Sequence, residues 1–212
     1  MSTHADPDKN ERAVARRMLD AFSNDDDVAS AAALHAQLAE RAEREGLLDV
    51  AYRTIDSPFG ALLLAASRAG LVRVAFAREG HAAVLERLAS EVSPRILRAP
   101  QRLDAAARQL DEYFARRRKR FELPLDLQLA RGFRRAVLVR LQRIAYGETT
   151  SYAQLARAAG KPAAVRAAGS ACSHNPLPLV VPCHRVVRSD GTFGEYLGGH
   201  EMKRALLEME RA

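Results

Sequence analysis

Residues 175–199 read Asn-Pro-Leu-Pro-Leu-Val-Val-Pro-Cys-His-Arg-Val-Val, then Arg-Ser-Asp-Gly-Thr-Phe-Gly-Glu-Tyr-Leu-Gly-Gly, and this stretch decides the class of the protein. A Leu-Val-Val run of core character ends in Pro182, and Cys183 and His184 follow directly. Imidazole, basic residues and turn glycines crowd around Cys183, surroundings that can lower a thiol pKa and generate the attacking thiolate. Adjacent residues on a helix or turn do not face one another, so His184 is expected to reach Cys183 through a water. The other cysteine, Cys172, reads as an inert core thiol.

Upstream of this stretch the pattern is helical. Phe133, Val137, Leu138, Leu141 and Ile144 form one stripe over Gly132–Ile144. Tyr146-Gly147-Glu148 makes a turn, and Thr150 or Ser151 can cap a helix over Tyr152–Ala159 that Gly160 stops. Pro162 suits the first turn of a second helix running to about Cys172. Two short helices joined by a Gly-containing turn match a helix-turn-helix. In the second helix only Arg166 is long and polar; the rest is Ala, Gly, Ser and Val. Sequence-reading helices carry Arg, Asn or Gln for base edges. This one therefore suits either tight core packing or close approach to DNA without reading sequence.

Further upstream, Val50–Asp56, Ala61–Ser67 and Leu71–Phe76 are separated by Ser57-Pro58-Phe59-Gly60 and Arg68-Ala69-Gly70, which predicts an antiparallel meander. A helix follows over about His81–Ser90, then a short strand around Ile96 and a helix from Gln101 to about Arg117. The run Arg116-Arg117-Arg118-Lys119-Arg120 reads first as a solvated helix end and only secondarily as a phosphate contact. Ahead of Val50, Ser30 is a possible cap for a helix ending near Gly46, after a polar loop over Ser23–Asp27. The expected fold class is α+β, with an acidic helical extension (1–49), a small-sheet α/β domain (50–124) and a mostly helical C-terminal domain with the helix-turn-helix (125–212).

The 212 residues are 48% hydrophobic and 28% charged, ordinary globular usage that argues against disorder throughout. The longest apolar stretch, Ala61–Ala66, is far short of a membrane span. The N-terminus lacks the basic start and apolar core of a signal peptide, and two cysteines exclude a disulfide scaffold, so a reducing cytoplasm is expected. Net charge is +7, but residues 1–49 hold six Lys/Arg against eleven Asp/Glu while the remainder hold 27 against 15. A basic body suggests a polyanion such as nucleic acid. Because 29 of the 33 basic residues are Arg, a GC-rich genome is the plainer source of the charge.

Pro182-Cys183-His184-Arg185-Val186 resembles the signature of the O6-alkylguanine-DNA alkyltransferases, the methylated-DNA–protein-cysteine methyltransferases. Ser151-Tyr152, Arg166-Ala167-Ala168-Gly169, Asn175-Pro176, Gly198-Gly199 and the ending Lys203…Leu206-Leu207…Glu210 are similar to the family as well. The likeness is strong over about 125–210, weaker over 50–124, and absent from 1–49. It implies that Cys183 accepts the alkyl group, that His184 is a water-mediated base oriented by Glu210, and that Tyr152 donates to the leaving guanine. It implies further that Asn175 holds the turn into the site and that Arg166 fills the base stack when the damaged nucleotide flips out. Ser151, Ala167 and Gly169 would lie along DNA in the minor groove. The carbonyl of Val186, with Pro178, Gly194, Tyr196, Leu197 and Gly198, would border the guanine pocket, open enough for an O6-benzyl ring resting on Pro178.

The implied partner is double-stranded DNA containing O6-alkylguanine, with O4-alkylthymine a further substrate; a monomer, no membrane and no cofactor are expected. Thioether formation leaves nothing for water to displace, so each chain should act once. Two departures stand out. Leu197 sits where many relatives carry a small or hydroxyl residue able to bond O6. No cysteine precedes residue 172, so His4, His35 and His81 cannot complete the zinc site some relatives hold, and no metal is expected. The competing readings are a Cys-His-Glu hydrolase that turns over, a lesion-binding protein without chemistry, and a helix-turn-helix regulator.

Overall fold

Strand β2 (Leu62–Ser67) is buried on both faces, which is why it reads as an unbroken apolar run rather than an alternating one. The computed structural model that shows this describes residues 25–211. Leu62, Leu64 and Ala66 point to one side of the sheet, and Leu63 and Ala65 to the other. β1 (Val50–Ile55), β2 and β3 (Gly70–Phe76) form the expected antiparallel meander, with Ile55 opposite Leu62 and Leu62 opposite Phe76. β4 (Ile96–Arg98) pairs parallel with β1, giving the order β3-β2-β1-β4. The parallel pair needs a crossover, and α2 (His81–Glu91) supplies it, closing one face with Val84 and Leu88.

The other face joins the two halves of the chain. The cluster that starts at Leu62, Leu64 and Phe76 takes in Leu110 and Tyr113 of α3 (Asp104–Phe114). It continues without a break through Val137 and Leu138 of α4 (Gly132–Leu141), Leu155 of α5 (Tyr152–Ala158), Ala168 of α6 (Val165–Ser173) and Leu206 of α7 (His200–Arg211). The connecting segment is strapped to the sheet at Gly70. Leu71 N–H donates to Pro124 O at 2.8 Å, and a Cβ on Gly70 would lie 2.2 Å from that oxygen.

The helix-turn-helix region takes the expected order with shifted bounds. Ser151 caps α5 through a reciprocal pair with Gln154: Gln154 N donates to Ser151 Oγ at 3.1 Å, and Ser151 N donates to Gln154 Oε1 at 2.8 Å. Pro162 is not in the first turn of the second helix. A turn closed by Ala164 N on Lys161 O intervenes, and α6 begins at Val165. The two-residue strands β5 (Thr150–Ser151) and β6 (Val186–Val187), absent from the sequence reading, pair in parallel and clamp the start of α5 to the chain just after Cys183.

The arginine run also differs from expectation. After a 3-10 turn at Pro100–Leu103, α3 stops at Phe114, and Arg116 takes a left-handed φ of 59°. Arg117 N and Arg118 N donate back to Glu112 O, so residues 116–120 follow the helix rather than end it.

α1 (Asp25–Arg44) begins before Ser30, which is therefore inside the helix; residues 23 and 24 of the expected loop, like His4, lie outside the described residues. α1 meets the body through Ala39 and Ala42, packed on Leu48, Ala51 and Ala99, while Leu34 and Leu38 are 63% and 53% exposed. Deleting residues 1–46 is expected to leave the sheet and main core intact. It should lower stability by roughly 1–3 kcal/mol, the worth of a few small apolar groups losing cover. Denaturant titration followed by circular dichroism measures this, and loss of cooperative unfolding would mean that the extension is integral to the fold.

Candidate active site

Cys183 opens a single 3-10 turn, Cys183–Arg185, whose three residues are all buried. The turn is positioned by Asn175, itself fully buried where α6 ends. Its Nδ2 donates to Val181 O at 2.7 Å and lies 3.1 Å from Cys183 Sγ, while its Oδ1 accepts from Leu177 N at 3.0 Å. Three bonds from one amide thus fold residues 175–183 into a loop that aims the sulfur. The thiol is only 2% exposed. Burial pushes its pKa up to about 11, against the smaller lowering effects of Asn175, Lys203 and nearby backbone. This corrects the expectation of a thiolate-favouring setting: the basic neighbours are present, but desolvation outweighs them.

His184 makes no hydrogen bond to Cys183. Its Nε2 lies 2.9 Å from Glu210 Oε1, and its Nδ1 is buried without a protein partner among the described residues. The carboxylate accepts from Nε2–H, which leaves Nδ1 as a free acceptor. Burial lowers the His184 pKa despite Glu210, so the ring rests neutral. Arg185 grips the same carboxylate with two nitrogens, Nε on Oε2 at 2.8 Å and Nη2 on Oε1 at 2.9 Å, and places Nη1 on Ile144 O at 2.6 Å. Tyr113 Oη donates to Glu210 Oε1 at 2.6 Å, and Gly147 N to Oε2 at 3.3 Å. Burial would raise the Glu210 pKa, but the bonds from His184 and Arg185 prevail and hold it well below the usual carboxylate range.

The walls around the sulfur come from separated segments. Tyr152 starts α5, with its ring against Gly169 of α6 and its hydroxyl so close to Gly194 that a Cβ there would sit 2.3 Å away. Burial pushes the phenol pKa up to about 12, so it stays protonated. Lys203 is fully buried; its Nζ donates to Val186 O at 2.5 Å, lies 3.5 Å from Gly194 O and stands 5.9 Å from the Tyr152 ring centre. Tyr196 is buried with its ring edge-on to His184, its hydroxyl without a partner among the described residues. Pro178 is buried in the Asn175 loop, and Gly198 lies against Tyr196 and Met202. Leu197 lines a different cleft, of about 240 Å³, with Arg73, Glu79, Arg134 and His174.

On the outer side, Arg166 and Ala167 are exposed near the start of α6, Gly169 is half-buried, and Ser151 is half-buried at its cap position. Among the described residues no three His, Cys, Asp or Glu side chains gather to hold a metal. Sequence reasoning assigned no role to Lys203, Tyr113 or Arg185. A signal existed for the first: Lys203, Leu206, Leu207 and Glu210 share the buried stripe of α7, where two charges are out of place unless they have partners.

Replacing Glu210 with Gln strands Arg185 and is expected to cost about 3–5 kcal/mol at neutral pH. In the native protein, stability should fall on acidification. His184, with its folded pKa lowered, costs stability as pH drops below about 6.5, the unfolded value, and Glu210 does so below about 4.3. Glu210→Gln should flatten the lower part of that decline. Urea midpoints measured across pH test this, and an unchanged midpoint at pH 7 would refute it.

Two family models match the chain, "6-O-methylguanine DNA methyltransferase, ribonuclease-like domain" over residues 50–127 and "6-O-methylguanine DNA methyltransferase, DNA binding domain" over residues 132–212. The chain is 39% identical over 161 residues to the methylated-DNA–protein-cysteine methyltransferase of Mycobacterium tuberculosis, covering 76% of this chain and 92% of that one. It is 38% identical over 164 residues to the constitutive enzyme of that name from Bacillus subtilis, covering 76% and 94%. The crystal structure of Mycobacterium tuberculosis OGT in complex with DNA superposes with a TM-score of 0.66 at 39% identity, covering 76% of this chain and 92% of that one. Residues 1–49 precede both family matches. With both models matched in order and the Pro182–Val186 turn built around a buried cysteine, the chain belongs to the 6-O-methylguanine DNA methyltransferase family.

Proposed function

We propose that the protein repairs DNA directly, moving the alkyl group of O6-alkylguanine, with O4-alkylthymine a further substrate, onto Cys183. The observation that carries this reading is the buried Cys183 sulfur held by Asn175 at 3.1 Å beside an imidazole that burial keeps neutral and Glu210 orients. Burial pushes the thiol pKa up to about 11, so the resting sulfur is protonated at neutral pH and the proton leaves as the attack proceeds. A water between the sulfur and His184 Nδ1 would carry it, and Glu210 would stabilise the imidazolium formed. The S–C bond forms as the C–O6 bond breaks. Tyr152, a protonated phenol, meets the charge developing on guanine with a proton or hydrogen bond. The proton lost by the thiol balances the one gained by the base.

The base must leave the duplex to reach this sulfur, at a cost of a few kcal/mol. Exposed Arg166 is suited to fill the gap with a planar cation, and the small residues of α6 let the helix lie close in the minor groove. The Val186 carbonyl, one lone pair taken by Lys203, keeps another for the guanine amino group. The product thioether has no leaving group, so the chain acts once, as a monomer in the cytoplasm without a cofactor. In this reading residues 50–124 are the supporting α/β domain, residues 125–212 carry the reaction, and the extension 1–49 is dispensable for transfer.

Incubation with a duplex containing O6-methylguanine should leave one methyl group per chain on the Cys183 peptide, matched by one repaired guanine, with Cys183→Ser inactive. Mass spectrometry of the digest decides it; repeated turnover, or methyl on Cys172, contradicts the proposal. Arg166→Ala should slow repair of the duplex far more than reaction with free O6-benzylguanine, because only the duplex requires flipping. Equal losses on the two substrates would give Arg166 another role.

A further inference from the structure

Two adjoining depressions outside the site carry an uncompensated positive charge. One, of about 680 Å³, lies between the segment after α3 and the end of α4 and is lined by Lys119, Arg120 and Arg143 around Tyr146 and Phe121. The second, of about 490 Å³, is lined by Arg135, Arg140 and again Arg143, and reaches Ala158 and Gly160 at the end of α5. The shared Arg143 makes them one track that runs from the turn of the helix-turn-helix to the Arg116–Arg120 run.

No carboxylate lines either depression, although the chain has 26 Asp and Glu. Of the acids that flank Lys119 and Arg120, Glu112 pairs with Arg118 at 2.7 Å and Glu122 lies 3.8 Å from the same guanidinium, while Glu148, after Tyr146, is exposed and lines neither depression. Arg185, which also borders the larger depression, is committed to Glu210. Lys119, Arg120, Arg135, Arg140 and Arg143 are exposed and make no ion pair among the described residues. Lys119 Nζ lies 5.6 Å over the Tyr146 ring, which places this charge at the wall of the larger depression. Five like charges gathered without counter-charge repel one another, and a polyanion relieves that repulsion.

We propose that this track is a second, sequence-independent contact for the phosphate backbone of the DNA duplex, lying beyond α6 and extending the footprint of the repair site. The inference rests on the proposed action on DNA. Continuity with α4 and α5 favours DNA over an acidic protein, and arginine forks suit phosphate oxygens two at a time.

The test is salt titration of binding to an unmodified duplex by Lys119→Ala, Arg120→Ala, Arg143→Ala and the triple variant. Each phosphate contact contributes about 0.9 to the slope of log affinity against log salt, so single variants should lower it by about 0.9 and the triple by about 2.7. Affinities for lesion-bearing and unmodified duplexes should fall by the same factor, while alkylation by free O6-benzylguanine stays unchanged. Arg41→Ala, in α1, is the control and should leave the slope as it was. An unchanged slope in the triple variant overturns the proposal, as does an equal fall in Arg41→Ala. So does a loss confined to binding an acidic protein. Failure of the wild-type chain to be methylated at Cys183 would instead sink the repair reading, because the slope is read on DNA that offers no alkyl group.

Discussion

The Glu210 carboxylate is the point on which the rest of the structure depends. It is buried, and a buried charge is tolerated only when its lone pairs are met. Five donors meet them: two nitrogens of Arg185, His184 Nε2, Tyr113 Oη and Gly147 N. These groups come from the cysteine turn, from α3 of the sheet half and from the turn ahead of β5, while Glu210 itself lies near the end of α7. One carboxylate therefore ties four separate segments to a single geometry. It also selects the histidine tautomer, since a carboxylate on Nε2 leaves Nδ1 as the acceptor. The sheet-bearing half thus shapes the site through Tyr113.

Burial of the Cys183 thiol has a chemical consequence. A thiol with a pKa near 11 is a poor nucleophile at rest and a poor target for oxidants, which attack the thiolate. On the proposed reading, reactivity is created only when a substrate occupies the pocket and the proton leaves through His184. Lys203 contributes from the opposite side. Its ammonium ties Val186 O to the loop at Gly194, so the wall that faces Tyr152 is held by a charge the solvent does not reach.

The electrostatic asymmetry of the chain has a structural counterpart. The acidic extension joins the body at the β4 edge of the sheet through Ala39, Ala42 and Leu48 and through ion pairs of Glu43 with Arg102 and of Asp49 with Arg95. Five of the cations that make no ion pair among the described residues lie along α4, just after it, and in the segment after α3. Two carboxylates that flank Lys119 and Arg120 in sequence, Glu112 and Glu122, face Arg118 rather than the basic track.

From the sequence alone came most of the elements and the family. Turn residues at 57–60 and 68–70 delimit the meander, a capping pattern begins α5 at Tyr152, and Pro182-Cys183-His184 carries the family signature and the proposed nucleophile, because turns, caps and short motifs are local properties of the chain. The bounds that failed were also local contests: Arg116 takes a left-handed φ and closes α3 early, and a turn after Pro162 delays α6. The register of β5 on β6, the joining of Tyr113, Arg185 and Gly147 at one carboxylate, and the burial of Lys203 required the tertiary structure. So did the sign of the Cys183 pKa shift. Basic neighbours in sequence argue for a lowered value, but desolvation depends on what the whole fold packs over the sulfur, and no stretch of sequence contains that information.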